Sequence, residues 1–184
     1  MRIIAGTYGG RRLEAPKGSD IRPTSDKLRG SIFNALSSRF DIEGAVAMDI
    51  FCGSGALGLE AISRGAGECL FVDLAKTSLD LAKRNAQGLG CTNACSFLLK
   101  DAAKLPPRDA AQSASNLFFC DPPYNKNFVP PAVESLLSGG WLAPGAFGVL
   151  ETEKQSALEM PNAFETLSEK IYGDTKILLV QLQP

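Results

Sequence analysis

Hydrophobic and polar positions divide the chain into a short first part and a longer part with regular alternation. Residues 2–5 and 11–14 flank a glycine-rich segment and predict a small β-hairpin, which we expect to be an appendage. Ser25 and Asp26 are residue types that cap helices. The apolar residues that follow recur at the spacing of one helix face, at Leu28, Ile32, Phe33 and Leu36. The first part therefore predicts a hairpin followed by a helix.

From residue 45 onward, continuous apolar runs alternate with helical patterns. The runs that predict buried strands cover residues 45–51, 69–72, 96–99, 117–120 and 147–151. Helical patterns cover residues 57–62, 74–89 and 129–137, and a terminal hairpin is predicted at residues 167–172 and 176–182. Strands that are apolar on both faces and separated by helices are typical of parallel sheets. We therefore expect an α/β fold with a doubly wound, mostly parallel sheet.

Length and composition fit a single domain. The chain has 184 residues, of which 45% are hydrophobic and 21% charged, as in ordinary globular proteins. We expect one domain over residues 1–184, with the hairpin and helix as an extension at 1–40 and the main body at 41–184. No apolar run approaches the ~18 residues of a membrane span, and the N-terminus lacks the apolar segment of a secretory signal. A cytoplasmic location is therefore expected.

The chain contains no histidine and five cysteines. The lack of histidine excludes Ser-His-Asp and Cys-His triads, His-ligated zinc and histidine general bases. The odd number of cysteines in apolar segments predicts reduced thiols, and the one close pair, Cys91 and Cys95, does not complete a zinc site. Chemistry on this chain must therefore depend on carboxylates, backbone groups or a cofactor, and no metal is expected.

The net charge of −1 hides an asymmetry. Residues 1–40 carry eight Lys and Arg against three acids, a local net of +5, which leaves −6 for the remainder. Such a basic segment is typical of an arm that binds a polyanion, although an ordinary solvated surface has the same composition.

Four aspartates lie at or near the ends of predicted strands: Asp49, Asp73, Asp101 and Asp121. In a doubly wound sheet the carboxyl ends of the strands meet at one edge, where ligands bind. We therefore expect these carboxylates to line one ligand site.

Residues 53–58, called the glycine loop below, match the pattern G-x-G-x-x-G between a strand and a helix. Such glycines let the backbone approach a ligand, and Asp73 can accept two ribose hydroxyls. This much fits NAD as well as S-adenosylmethionine. Asp49 favours the second, because a carboxylate beside the loop repels a pyrophosphate and attracts the ammonium group of a methionine moiety. Asp101 would then bind the adenine amine.

The segment Asp121-Pro122-Pro123-Tyr124 follows the fourth predicted strand. Its two prolines fix φ and hold the local carbonyl groups rigidly. Asp121 and the Pro122 carbonyl would accept the hydrogens of an exocyclic amine on a planar base, and Tyr124 would stack on that base. Methyl transfer from a sulfonium requires alignment and proton loss, but no histidine or metal. Cys120 lies in an apolar run and is not expected to be a nucleophile.

With both motifs in place, the chain resembles class I S-adenosylmethionine-dependent methyltransferases, and more closely the RsmD-type 16S rRNA guanine-N2 methyltransferases. The resemblance covers nearly the whole chain. It rests on residues 2–6, 10–13, 22–24, 29, 32–34, 49–61, 63–66, 85 and 121–124. The chain departs from the family at Gly30, Cys52 and Asp73, where Glu, Ala and Glu respectively are commoner.

The resemblance implies a seven-stranded sheet and a guanine of 16S rRNA in the small ribosomal subunit as substrate. It implies that residues 121–124 hold the base and that S-adenosylmethionine binds in the core at 41–184. The candidate cofactor-binding residues are Asp49, Phe51, Gly53, Ser54, Gly55, Gly58, Asp73, Asp101 and Ala102. The candidate RNA-binding residues are Arg2, Arg11, Arg12, Arg22, Thr24 and Arg29, with the arginines on phosphates. The target guanine would leave its stack, and a monomer is expected.

Four other functions stay open on the sequence. Adenine-N6 methylation of DNA and glutamine methylation of proteins use similar motifs, often with Asn in place of Asp121, but the N-terminal segment argues against both. An NAD-dependent oxidoreductase is disfavoured by Asp49 and the proline pair. A non-catalytic RNA-binding assembly factor would not need an intact Asp121 and glycine loop.

Overall fold

The computed structural model describes residues 1–16, 25–123, 127–156, 158 and 160–183. The helices are α1 (Asp26–Ser37), α2 (Ala56–Ser63), α3 (Lys76–Leu89) and α4 (Val129–Ser138). The strands are β1 (Val46–Ile50), β2 (Glu68–Asp73), β3 (Cys95–Leu99), β4 (Ser115–Cys120), β5 (Leu142–Glu153), β6 (Phe164–Tyr172) and β7 (Thr175–Leu182). Short 3-10 turns at Thr92–Ala94 and Ala102–Lys104 flank β3. Each element that the hydrophobic pattern predicted from residue 26 onward is present.

The seven strands form one sheet in the order β3-β2-β1-β4-β5-β7-β6. Strands β1 to β5 are parallel, and β7 is antiparallel to both β5 and β6. The expected α/β fold with a doubly wound sheet and a terminal hairpin is therefore confirmed. The chain runs outward from β1 to β3 and then returns to the other side of β1 as β4. The reversal opens a crevice between the carboxyl ends of β1 and β4, the place where such sheets bind ligands.

Two apolar clusters cover the two faces of the sheet. Helices α1, α2 and α3 pack on one face, against strand residues such as Phe71 and Phe119. Helix α4 packs on the other, against residues such as Met48 and Phe118. Because successive strand residues point to opposite faces, a residue two positions beyond Phe119 points toward the α1–α3 face.

The N-terminal hairpin is paired as predicted but belongs to the core. The Ile3 N–H donates to the Arg11 carbonyl at 2.9 Å, and Arg2 and Arg12 form an antiparallel bridge. Ile3 and Leu13 are only 1% and 6% exposed and lie in the same cluster as α1–α3. The expectation of an appendage was therefore wrong, because burial of these two apolar side chains holds the hairpin against the body.

All five cysteines are free thiols, as the odd count predicted. In the described part of the chain, no helix has the length and apolar character needed to cross a bilayer.

Candidate active site

The four aspartates predicted from the strand ends lie along the carboxyl edge of the sheet. Asp49 is the penultimate residue of β1, Asp73 ends β2, Asp121 follows β4 directly, and Asp101 lies two residues after β3. Asp49, Asp73 and Asp121 each lie two residues beyond a strand residue of the α1–α3 cluster. Their side chains therefore share the face of the sheet that α1–α3 cover. Asp49 and Asp121 flank the crevice between β1 and β4.

Asp49 lies at the bottom of this crevice and is 2% exposed. Its Oδ2 accepts the N–H of Gly58 at 2.9 Å. Burial raises the pKa of Asp49 well above its usual range, and the charges of Asp121 and Asp73 raise this pKa further, against the opposing effect of the Gly58 N–H. Carboxylates concentrated in a buried site favour a cationic ligand and oppose a pyrophosphate.

Replacing Asp49 with asparagine is expected to stabilise the protein in the absence of ligands. The raised pKa means that the folded state binds more protons than the unfolded state, so the stability contributed by Asp49 is lost as pH rises through its folded-state pKa. Asparagine has no such titration and keeps an oxygen for the Gly58 N–H. The melting temperature of Asp49→Asn should therefore exceed that of the wild type at neutral pH, and the gap should narrow toward about pH 4.

Thermal unfolding across this pH range measures the effect. Asp174→Asn, on the exposed turn between β6 and β7, controls for the loss of one negative charge. A gap between Asp49→Asn and the wild type that did not change with pH would contradict the raised pKa.

Left-handed conformation occurs at Gly53 (φ 53°) and Gly55 (φ 77°) in the glycine loop and at Phe51 (φ 60°), two residues before it. The Gly53 N–H donates to Asp73 Oδ2 at 3.0 Å, and the Ala75 N–H donates to Asp73 Oδ1 at 2.8 Å. Each oxygen of the Asp73 carboxylate keeps a further lone pair that can accept a hydrogen bond. A Cβ on Gly53 would meet no atom within 4 Å, so the space beside this backbone is open to a ligand.

Gly58 and Ser54, both predicted to bind the cofactor, also have structural contacts. A Cβ on Gly58 would lie 2.5 Å from Phe71 Cε1 and 2.6 Å from Cys69 Sγ, so glycine is required for α2 to pack against β2. Ser54 is 8% exposed, and its carbonyl accepts from Asn85. These contacts with β2 and α3 fix the position of the loop.

Asp101 caps the short turn that follows β3. Its Oδ1 accepts the Ala103 N–H at 2.9 Å, and the neighbouring Ala102 is 1% exposed. Both residues lie at the same sheet edge as Asp73, because the Cα of Asp73 pairs with Leu99 at the end of β3.

The segment after β4 provides the other wall of the crevice. Asp121 is half-buried, Pro122 is buried and Pro123 is exposed. Tyr124 lies outside the described residues. Cys120 is fully buried, and burial, followed by the charge of Asp121, raises the pKa of its thiol well above the usual range. The thiol is therefore protonated at neutral pH and unsuited to nucleophilic attack.

Phe128 is a site residue that the sequence did not predict. Its ring stacks on that of Phe51, with centroids 5.8 Å apart and an interplanar angle of 21°. A left-handed conformation costs an aromatic residue such as Phe51 about 1–3 kcal/mol, and this contact helps to hold it. The pair joins the loop after β1 to the segment before α4. Phe128 is an isolated aromatic residue without periodicity, so only its proximity to residues 121–124 in the sequence could have indicated it.

The predicted RNA-binding arginines differ in exposure and in the protein groups that they contact. Arg12 is exposed, and the Arg2 side chain is 64% exposed, with Nε 3.3 Å from Asp26 Oδ2. The Arg11 guanidinium donates to the carbonyls of Leu89, at 2.9 Å, and Gly88 at the C-terminal end of α3. Arg22 and Thr24 lie outside the described residues.

Arg29 does not fit the role predicted for it. It is 0% exposed, and its Nη2 donates to the Arg2 carbonyl at 2.6 Å and to Asp26 Oδ1 at 2.8 Å. A buried guanidinium held by protein acceptors cannot contact a phosphate. The prediction that Arg29 binds RNA is therefore wrong, and Arg29 instead connects α1 to the hairpin.

Comparison with known proteins places the chain in a family. The chain is 35% identical to ribosomal RNA small subunit methyltransferase D of Haemophilus influenzae, over 98% of this chain and 93% of that protein. It is 34% identical to the Escherichia coli K12 protein of the same name, over 98% and 89% respectively. The solved structure of Escherichia coli yhhF, described provisionally as a methyltransferase, aligns with a TM-score of 0.85 and 28% identity over 100% of this chain and 98% of that chain.

These relatives confirm the resemblance to the RsmD-type group that the motifs indicated. The model of the family described as conserved hypothetical protein 95 matches residues 1–181. The match includes the hairpin, the glycine loop and the segment after β4. The chain therefore belongs to the conserved hypothetical protein 95 family.

Proposed function

We propose that this chain transfers a methyl group from S-adenosylmethionine to the exocyclic N2 amine of a guanine in 16S rRNA of the bacterial small ribosomal subunit. The observation that carries the proposal is the meeting of the glycine loop, Asp49 and Asp121-Pro122 at the crevice between β1 and β4. The names of the Haemophilus influenzae and Escherichia coli relatives support an RNA substrate from the small subunit.

The residues of the crevice fit S-adenosylmethionine. Its sulfonium and ammonium groups are cationic, and the repulsion that Asp121 and Asp73 exert on Asp49 is relieved by positive charge. The lone pairs of Asp73 that the loop leaves free suit the ribose hydroxyls, and Asp101 suits the adenine amine. The open space beside Gly53 lets the ligand approach the backbone. When bound, the cofactor supplies an electrophilic methyl group.

Asp121 and Pro122 hold the amine that receives this methyl group. The Asp121 carboxylate and the Pro122 carbonyl each accept one N2 hydrogen, which directs the nitrogen lone pair toward the cofactor site. The proline ring fixes φ at Pro122, so the acceptors need little rearrangement in the transition state. Tyr124, whose role rests on the sequence alone, would stack on the base. The Phe51–Phe128 pair at this end of the crevice helps to exclude water.

The same residues explain why the reaction needs no histidine. Positioning of the two reactants supplies most of the rate. As the N–CH3 bond forms and the S–CH3 bond breaks, the Asp121 carboxylate, hydrogen-bonded to the amine, accepts the proton that the amine loses, and the cofactor leaves as the neutral thioether. The pyrophosphate of a cofactor such as NAD would be repelled by the carboxylates of Asp49, Asp73 and Asp121. Methylation of a ring carbon through a cysteine would need an ionised Cys120, which burial disfavours.

Nucleoside analysis of a methylation reaction tests the proposal. The purified protein is incubated with labelled S-adenosylmethionine and either naked 16S rRNA or small subunits that lack the modification, and the RNA is digested to nucleosides. Label is expected in N2-methylguanosine, and subunits that already carry the modification should accept none. Label only in N6-methyladenosine or in protein, or no label at all, would contradict the proposal.

Replacing Arg12 with alanine is expected to weaken RNA binding and its dependence on salt. Arg12 is exposed on the hairpin strand that pairs with Arg2. A phosphate contact is worth about one unit of slope in a plot of log K against log salt concentration. The slope for Arg12→Ala should therefore fall by about one, as measured by RNA titrations at several ionic strengths.

Arg39→Ala is the matched control for charge. Arg39 is also exposed and belongs to residues 1–40, but its neighbour Phe40 packs on Phe147 in the middle of β5. Phe147 pairs with Leu117 of β4, away from the crevice at the carboxyl end of that strand. Its salt slope should equal that of the wild type. Equal slopes for Arg12→Ala and Arg39→Ala would remove the hairpin from the RNA interface.

A further inference from the structure

A buried amide joins the N-terminal hairpin to the glycine loop. Asn85, in α3, is 4% exposed. Its Oδ1 accepts the Glu14 N–H at 2.7 Å, and its Nδ2 donates to the Glu14 carbonyl at 3.1 Å and to the Ser54 carbonyl at 2.9 Å. One side chain therefore bridges the end of the hairpin and the middle of the loop.

Other contacts place the rest of the hairpin around the same point. The Ser54 Oγ donates to Met1 Sδ at 3.8 Å, and the Leu13 N–H donates to the Met1 carbonyl at 3.1 Å. Both strands of the hairpin thus lie beside Ser54. Arg11 attaches the hairpin tip to the end of α3, the helix that carries Asn85.

The chemistry of the bridge requires a carboxamide of this length. The amide supplies two donors for two carbonyls and one acceptor for an N–H. An aspartate of equal size would place oxygens against the Glu14 and Ser54 carbonyls. Alanine would leave the N–H and carbonyl of Glu14 and the buried Ser54 carbonyl without this partner, which is unfavourable.

We propose that Asn85 is a positioning residue that couples RNA binding at the hairpin to cofactor binding at the glycine loop. This inference rests on the proposed function, because it takes the hairpin to bind RNA and the loop to bind S-adenosylmethionine. The left-handed residues of the loop need support from their surroundings. RNA bound to the hairpin stabilises the packing of the hairpin against Asn85 and Ser54, and this packing supports the loop, so each ligand favours the conformation that binds the other. The coupling is reciprocal by thermodynamic linkage.

Calorimetry with S-adenosylhomocysteine, the product that cannot transfer a methyl group, tests the coupling. The full chain is titrated with and without saturating 16S rRNA. For the wild type, RNA is expected to lower the Kd for S-adenosylhomocysteine by about five-fold or more, the low end of measured allosteric couplings. Asn85→Asp and Asn85→Ala should raise the Kd without RNA about ten-fold, the equivalent of one net hydrogen bond. Both variants should show almost no RNA effect.

Steady-state kinetics separates positioning from a general loss of structure. The variants should show a raised KM for S-adenosylmethionine, with kcat close to that of the wild type at saturation. Asn85→Asp preserves the side-chain volume, and thermal unfolding identifies the folded fraction. Arg84→Ala is the control, because Arg84 is the exposed neighbour of Asn85 and its Nε donates to the Glu14 side chain, at 3.1 Å, and not to the Glu14 or Ser54 backbone. It should keep the wild-type Kd and RNA effect.

Coupling of wild-type strength in folded Asn85→Asp would overturn the inference, and so would an equal loss in Arg84→Ala or a wild type without any RNA effect. Formation of N2-methylguanosine is scored separately in the same preparations. A protein that methylates rRNA but lacks coupling overturns only this inference. A protein that forms no N2-methylguanosine overturns the proposed function on which it rests.

Discussion

Replacing Asp121 with alanine is expected to lower kcat by about 10²–10³-fold, the loss typical of one preorganised polar group at a reaction centre. The carboxylate orients the accepting amine, so its removal affects the chemical step more than ligand binding. Calorimetry should still detect S-adenosylmethionine, because Asp49, Asp73 and the glycine loop are unchanged. The measurement is the steady-state rate of rRNA methylation with both substrates saturating.

Two further variants sharpen this prediction. Asp121→Asn keeps one acceptor oxygen and should retain more activity than Asp121→Ala. Asp174→Ala removes an exposed aspartate from the turn between β6 and β7 and should leave kcat unchanged. If Asp121→Ala lost cofactor binding altogether, Asp121 would belong to the cofactor site and its placement beside the amine would be wrong.

The parts of the site that the sequence predicts are those encoded by local pattern. A buried strand is recognised from a continuous apolar run, and in a parallel sheet its last residue must lie at the ligand edge. The rule predicts that Asp49, Asp73 and Asp121, at or near the ends of their strands, lie together. The glycine loop was predicted in the same way, because left-handed backbone after a strand requires residues such as Gly53 and Gly55.

Long-range polar contacts were not predictable from local pattern. Arg29 belongs to a basic segment and is a residue type that contacts RNA, yet it lies on the buried face of α1, beside Asp26. Glu60 and Asn85 are polar residues of a type that is normally solvated. Their partners are backbone groups of the hairpin, from 55 to 71 residues away in sequence. Only tertiary packing shows that these side chains are buried and what they bind.

Replacing Glu60 with alanine is expected to reduce the free energy of unfolding by about 3–5 kcal/mol, the loss typical of breaking a buried ion pair. Glu60 is 0% exposed. Its carboxylate accepts the Ile4 N–H at 2.7 Å, the Ala5 N–H at 3.1 Å and Arg64 Nε at 2.7 Å. All three donors would be left without this acceptor. For a domain of this size the melting temperature should fall by roughly 10 °C.

Urea titration of Glu60→Ala and Glu60→Gln distinguishes the hydrogen bonds from the ion pair. Glutamine keeps one acceptor oxygen and the side-chain length, so its loss should be smaller than that of alanine. Glu134→Ala, on the exposed face of α4, should change the unfolding free energy by no more than about 0.5 kcal/mol. Because Glu60 holds the hairpin against α2, the folded fraction of Glu60→Ala should also bind rRNA more weakly. A Glu60→Ala protein as stable as Glu134→Ala would show that the Glu60 carboxylate does not hold the hairpin in place.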